Sequence, residues 1–416
     1  MKLEKVPLFS TKKDFFVFLF ISFFIFIYSL LIEYQNFKSL TYFDTTIVKA
    51  TVLKQYVKSK GKKKYQVLKL RSDKNFTFYT TANISLKNLV NKKITLQITT
   101  KDLTFYKFLT QFYTYSYIKD IPDTITTKEK LSSKLEKIHQ DTNISSIYKA
   151  LYLASPLDNE LQNTFSSLGI SHLFAISGYH LGVLSGLLIL IINYPYRLLQ
   201  DRFFPYRNSK KDIFIFIGII LLLYLLFLDT PPSLLRAYVM LVIGFILYDR
   251  GIQIVSMQTL FVSVILLLSF FPKLLFSLGF WLSVGGVFYI FLYLLRFENI
   301  AKIWHFILLP IWIYLMMLPY SLFIFGNFSI YNPLSILWSV LFSIFYPLSI
   351  FLHFIGVGYL LDDILKEFLL LDNHSKVYLK STSIIITMSL SFLALLKRWF
   401  IYPLIVYNLS ILYRIY

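Results

Sequence analysis

From residue 171 onward the chain is a succession of apolar runs with short polar interruptions. Backbone placed in hydrocarbon finds no water to bond, so such runs must be helices, which pair their own N–H and C=O groups. We place segments near 172–193, 212–228, 234–249, 254–271, 279–295, 303–319, 334–355 and 381–396, with a shorter one at 400–413. A further run, 15–32, lies near the N-terminus. Lys2, Lys5, Lys12 and Lys13 precede it and no small-residue cleavage pattern follows. It reads as an uncleaved first span with a cytoplasmic N-terminus. Hydrophobic residues are 56% of the 416, more apolar surface than a soluble protein of this length would expose. The expected class is a polytopic α-helical membrane protein with about 9–10 transmembrane segments.

Residues 33–150 are different material. They hold 22 Lys/Arg against 9 Asp/Glu, which is +13 of the formal net charge of +20. Apolar and polar residues alternate over 45–57, 65–70, 76–81 and 93–100, the period of half-buried strands. The first two flank S-K-G-K-K-K (59–64), a hairpin turn with a basic tip. Four or five short strands in so few residues suggest a small closed barrel, with an OB-like fold as the leading candidate. Residues 128–150 then read as amphipathic helix. The expected division is 1–32 as cytoplasmic N-terminus and first helix, 33–127 as a periplasmic OB-like domain, 128–170 as a helical connector and 171–416 as the membrane domain.

Interleaved cations and aromatics, as in Lys74-Asn75-Phe76-Thr77-Phe78-Tyr79, suit a single-stranded nucleic acid, because cations meet phosphates and rings stack on bases. The candidate contacts are Lys58, Lys60, Lys62, Lys63, Lys64 and Lys74. A general affinity for anionic surface polymers is the alternative. The chain has no cysteine, so disulfides and thiolate metal sites are excluded. Its six histidines show no metal-ligand spacing, and no P-loop pattern occurs, so neither a metal, a cofactor nor nucleotide hydrolysis is expected.

Four polar elements interrupt the apolar part. The first is Ser171-His172-Leu173-Phe174-Ala175-Ile176-Ser177-Gly178-Tyr179-His180-Leu181-Gly182. Polar groups at membrane depth are used or satisfied internally. One reading is a broken helix lining a polar route, with Ser177, Gly178 and His180 at the break. The other is close helix packing through Gly178, Gly182 and Gly186. A Ser–His pair can also be nucleophile and base, but Ala175 stands where a nucleophile elbow needs glycine, so no enzyme is expected. The second element is D-T-P-P-S-L-L-R-A (229–237). Its prolines start a helix, and Arg236 either snorkels to the interface or faces a water-filled cavity that takes anions. The third, 272–286, carries Gly279, Phe280 and Ser283. The fourth, 318–335, carries Gly326, Asn332 and Pro333 as a turn between spans.

In this order the four elements resemble the competence domain of the ComEC family. The family's G-h-S-H-L-L-A-I-S-G-L-H-V-G stands here as Gly169 to Gly182, its S-x-x-R-A as Ser233 to Ala237, its P-x-x-L-x-x-x-G-F-x-L-S as Pro272 to Ser283, and its F-G-x-h-S-h-h-x-P-L as Phe325 to Leu334. Tyr179 replaces the usual Leu. The resemblance covers roughly 150–400, and more weakly 40–105. It implies a channel in the inner (plasma) membrane that passes single-stranded DNA into the cytoplasm during natural transformation. His172, Ser177, Gly178, His180, Ser233 and Arg236 are then the candidate lining. Gly169, Gly182, Gly279, Phe280, Ser283, Gly326, Asn332 and Pro333 are motif residues with a structural role. The partners implied are single-stranded DNA, the lipid membrane, a periplasmic ComEA-like DNA receptor, a separate nuclease, a cytoplasmic ATPase or single-strand-binding proteins, and a further copy in a homo-oligomer. Many members carry a metallo-β-lactamase-like domain after the last span. The chain reads as a form without it. The alternatives are an exporter of an anionic envelope polymer and an intramembrane hydrolase using Ser177 and His180.

Overall fold

The computed structural model describes residues 8–9, 11–60, 63–74, 76–122, 126–174, 176–252, 254–371 and 374–415. The chain forms two compact units. One comprises Thr11–Asp158 with Ile265–Ser277, and the other is built from Asn159–Val264 and Leu278–Tyr416.

The first unit opens with α1 (Lys12–Leu40). Thr11 caps it: its hydroxyl accepts the Asp14 N–H at 3.2 Å and the Asp14 carboxylate accepts the Thr11 N–H at 3.0 Å. Strands β1 (Thr45–Lys60), β2 (Lys63–Ser72), β3 (Thr77–Ala82) and β4 (Lys93–Thr99) form where the alternation placed strands. After α2 (Phe105–Leu109) come β5 (Phe112–Tyr113) and β6 (Ser116–Asp120). The length of β1 lets it pair antiparallel with β4 through its first half and with β2 through its second, across an irregularity between Val52 and Lys54. Val52, Leu68, Leu70, Phe78, Ile94 and Leu96 point to one face and are buried there with Phe76, Phe108 and Phe112. Each such side chain contributes about 1.5–3 kcal/mol of burial. Leu40 and the partly buried Phe37 bring the end of α1 into the same core. Two helices follow, α3 (Thr127–Ile138) and α4 (Thr142–Leu153).

The closed OB-like barrel expected from the sequence is corrected here. The ladder runs β5-β3-β2-β1-β4-β6, an open sheet, and no ladder joins β5 to β6. The reason is local. The last strand segment is broken at Thr114–Tyr115 into a two-residue piece parallel to β3 and a five-residue piece antiparallel to β4. β6 is also poorly covered, with no buried residue in it.

The second unit is helical. It contains α5 (Asn159–Ser167), α6 (Ser171–Phe174), α7 (Gly178–Phe203), α8 (Ser209–Phe227) and α9 (Pro232–Asp249). Helix α10 (Met257–Phe270) begins in this unit and ends in the other. Then come α11 (Leu278–Arg296), α12 (Lys302–Phe325), β7 (Asn327–Ser329), α13 (Ser335–Phe354), α14 (Asp362–Leu369), β8 (His374–Lys376), α15 (Ser381–Leu396) and α16 (Ile401–Ile415). Tyr289, Trp312, Met316, Ala394 and Leu404 form a core among α11, α12, α15 and α16. Its polar atoms are paired: the Tyr289 hydroxyl meets those of Tyr320 at 2.9 Å and Ser391 at 2.8 Å, and the Trp312 indole donates to the Tyr289 carbonyl at 3.0 Å.

The expected polytopic bundle of about 9–10 spans is corrected too. Among the described residues five helical segments are long and apolar enough to cross a membrane: Lys12–Leu40, Gly178–Phe203, Leu278–Arg296, Ile303–Phe325 and Asn332–Phe354. Only 6% to 33% of the most apolar window in each is buried within the chain, so they do not pack as the core of a tight bundle. Two of the other apolar helices are too short to cross. Met257–Phe270 has 14 residues and Ser381–Leu396 has 16, whereas a bilayer core takes roughly 20.

Candidate functional site

The polar elements of the second unit meet around the break before α7. Ser177 has extended backbone and caps the helix. Its Oγ accepts the Tyr179 N–H at 3.3 Å, and its own N–H donates to Nδ1 of His180 at 3.3 Å. This is a capping box in which histidine takes the place of the usual Glu or Gln. His180 is 1% exposed and lies against the rings of Phe342 and Tyr346, at 5.5 and 4.8 Å between centroids. Because Nδ1 accepts a backbone N–H, the ring proton belongs on the buried Nε2. Ser177 Oγ is also 3.3 Å from Nδ1, but that nitrogen's lone pair is already engaged.

The second element ties into the same break. Pro231 and Pro232 start α9, and the Ser233 hydroxyl donates to the Ile176 carbonyl at 2.7 Å, satisfying backbone just before the cap. One turn on, Arg236 is 6% exposed. Its Nη1 donates to the Gly279 carbonyl at 2.9 Å and its guanidinium lies 5.8 Å from the centre of the Phe280 ring. Arg236 thus links the second element to the third. The fourth joins through Asn332, whose Nδ2 donates to the Ser167 carbonyl at 2.6 Å. That amide sits against Gly169, which has φ +74°; a β-carbon there would come within 3.0–3.2 Å of the Asn332 amide. Gly326, with φ +65°, ends α12, and a β-carbon on it would lie 2.2 Å from the Tyr378 ring. Pro333 is in the short turn Asn332–Leu334 that leads into α13.

Not every candidate is gathered in. His172, on α6, has an exposed surface, hydrogen-bonds the Gly169 backbone and lies near enough to His180 for the two rings to interact. Ser283 is half-buried, one turn into α11. Gly178 opens α7 close to Ala237, but at Gly182, Gly186 and Gly279 a β-carbon would meet nothing within 4 Å, so the glycines after Gly178 are not a close helix contact. Reading the sequence missed the groups that complete the arrangement: the carbonyls of Ser167, Ile176 and Gly279, and the rings of Phe342, Tyr346 and Tyr378. Carbonyls carry no sequence signal, and these rings stand in runs full of aromatics. Among the described residues no three His, Cys, Asp or Glu come together as a metal site would need.

In the first unit Lys58, Lys64 and Lys74 are exposed. Lys60 and Lys63 pair across the hairpin, while Lys62 lies outside the described residues. A second set of cations, absent from the sequence reading, lies on the sheet face turned away from the core. Lys54 pairs with Lys69, and Lys69 pairs with Tyr79, over whose ring its Nζ lies at 5.5 Å. Burial pushes the Lys54 ammonium below the usual lysine range, against the pull of Asp158. Burial, and then the Arg71 charge, does the same to Lys69. The period-2 alternation places these residues on one face, but only strand register makes them neighbours.

A family model described as "Competence protein" matches residues 154–415, well over half of the chain. The chain belongs to the competence protein family. The match takes in all four polar elements. The chain is also 28% identical over 190 residues to an uncharacterized protein of Aquifex aeolicus (strain VF5), an alignment covering 44% of this chain and 42% of that protein. The chain thus aligns with about two fifths of the length of that relative. No solved structure matches it.

Proposed function

We propose that this competence protein is the inner-membrane channel for single-stranded DNA during natural transformation. Membership of the family over 154–415 carries the reading. The physical chemistry supports it. A polyanion cannot cross hydrocarbon, so its route needs polar and cationic groups held at membrane depth. The apolar unit keeps Ser177, His180, Ser233 and Arg236 beside one helix break, next to segments apolar enough to span. The sheet unit gathers the strand on the outer side of the membrane, with Lys69, Arg71 and Tyr79 joining the hairpin lysines. A periplasmic receptor delivers the DNA, a separate nuclease removes the other strand, and cytoplasmic single-strand binders or an ATPase supply the pull.

Deleting the gene and measuring uptake of labelled DNA into the cytoplasm tests the reading. Loss of transformation, with DNA still bound at the surface, is the expected result. Normal uptake would end the channel proposal and leave export of an anionic polymer as the reading to pursue. For the sheet unit, binding of single-stranded oligonucleotide to the full-length protein should fall steeply with salt. Lys69→Gln should lower the slope of log affinity against log salt by about 0.7, the loss of one phosphate contact on a single strand. A slope unchanged by the substitution would remove Lys69 from the contact.

A further inference from the structure

The last strand segment of the sheet unit carries a row of rings that the core does not use. Along 111–119 the side chains alternate. Phe112 and Ile118 pack into the core, Thr114 is buried and the Ser116 hydroxyl meets that of Thr80 at 2.8 Å, whereas Gln111, Tyr113, Tyr115, Tyr117 and Lys119 are exposed. Tyr113 is 51% exposed, and Tyr115 and Tyr117 are each 73% exposed. Phe76 and Phe78, the rings that the sequence put forward, are buried in the core instead. Strand pairing sets cations beside the exposed rings. Tyr113 pairs with Tyr79, Tyr79 with Lys69 and Lys69 with Lys54, so two phenols and two ammonium groups form one row across β5, β3, β2 and β1. The Tyr113 hydroxyl meets that of Thr81 at 2.9 Å, and the Tyr79 hydroxyl donates to Oε1 of Gln111 at 3.0 Å, which fixes both rings in the row.

Exposed ring faces beside cations fit bases that are linked by phosphates. We infer that Tyr113, Tyr115 and Tyr117 are a stacking ladder for the unpaired bases of single-stranded DNA, with Lys119 at one end and Lys69 at the other meeting its phosphates. Lys119 stands two residues beyond Tyr117, and Lys69 two strands across from Tyr113. Spacing argues for a single strand. Side chains two apart along a strand are about 6.7 Å apart, and the Tyr113 and Tyr115 ring centres are 5.9 Å apart with their planes at 82°. Nucleotides of a duplex strand follow one another at about 3.4 Å. Only a strand drawn out to nearly twice that rise brings successive bases to successive rings, and the paired bases of a duplex have no free face to offer. A neutral glycan would use the rings but gain nothing from the lysines. The inference rests on the DNA reading of the sheet unit. It adds what charge alone lacks, a means of telling unpaired from paired DNA.

The test measures binding of three fluorescent probes to the full-length protein in detergent: a mixed-sequence single strand, the same sequence as a duplex, and an abasic strand of equal length. Tyr115→Leu and Tyr117→Leu should each weaken the single strand about fivefold to a hundredfold, the worth of one stacked base. The slope of log affinity against log salt should not change, because no phosphate contact is lost. Tyr115→Phe keeps the ring face and should bind as the wild type does. Duplex and abasic strand should bind the leucine variants and the wild type alike. Both rings lie mostly in solvent, so the substitutions leave the core untouched. Single-strand affinity unchanged by both leucine substitutions, or an equal loss on the abasic strand, would overturn the inference and leave the channel reading standing. So would leucine variants that bind the single strand normally but lose affinity for a neutral cell-wall glycan, since the rings would then serve a sugar. If the wild type binds no DNA at all, the DNA reading of the sheet unit falls with the ladder.

Discussion

His180 does two jobs with one ring. Its Nδ1 closes the cap of α7, and its faces fill space beside Phe342 and Tyr346. Ser177→Ala should therefore cost about 1 kcal/mol of stability, the loss of a cap, and leave much of the uptake intact. Denaturation in detergent and a transformation assay measure the two effects. Complete loss of activity with unchanged stability would revive the hydrolase. Gly326→Ala should be worse than Gly169→Ala, because a methyl group at Gly326 collides with the Tyr378 ring in addition to the cost of positive φ. In a Tyr378→Ala background the collision disappears, and the cost of Gly326→Ala should fall to the roughly 1–2 kcal/mol of the backbone term. Arg236→Lys keeps the charge but loses the planar donor that meets Gly279 over the Phe280 ring, so uptake should drop. Parental uptake would confine Arg236 to an interchangeable cation.

The segment between α7 and α8 shows how one carboxylate organises the start of a helix. Asp212, in the first turn of α8, accepts from Nε of Arg207 at 2.8 Å and from Nη2 at 2.6 Å, and the Tyr196 hydroxyl donates to it as well. The Arg207 hydrogen bonds, then that of Tyr196, hold its carboxyl down at about 2. A carboxyl depressed in the folded state stabilises the fold above its ordinary value near ~3.9, and the contribution is lost as pH falls through about 2. Pepsin, which cuts at aromatic residues in acid, should spare the exposed Phe203–Phe204 at pH 4 and cut there progressively toward pH 2. Asp212→Asn should be cut at pH 4 already. Equal cutting of both proteins at pH 4 would show that the arginine clamp does not order the segment.

The chain divides its chemistry between two units, one with a cation-rich sheet and one made of apolar helices. Helix α1 belongs with the sheet, since Leu40 and Phe37 enter that core. If α1 spans with its N-terminus inside, a single cysteine at Lys74 should react with an impermeant maleimide on intact cells and one at Lys12 only after permeabilisation. The chain has no cysteine of its own, so either signal would be unambiguous. The reverse pattern would turn the proposed orientation over and place the basic sheet in the cytoplasm.

Features set within a few residues were legible without coordinates. Alternation marked the strands, and the Ser177–His180 break was visible as polar residues in an apolar run. Whether those residues capped a helix or faced a lumen was not legible, because the answer depends on groups far along the chain. Asn332 bonds to a carbonyl 165 positions earlier, and Arg236 to one 43 positions later. The open sheet and the five long apolar helices were misread for a related reason. Composition sets how apolar a run is, but the interruption of the last strand at Thr114–Tyr115, and helices as short as Met257–Phe270 and Ser381–Leu396, decide what the run can close or cross. Likewise, the conspicuous lysines were contiguous in sequence, while Lys54, Lys69 and Tyr79 became neighbours only through strand pairing. The amino-acid order determined the apolar character, the strand period, the basic sheet segment and the motifs of a competence protein. Long-range hydrogen bonds and register decided which of those residues meet, since such contacts form only when distant segments are brought together.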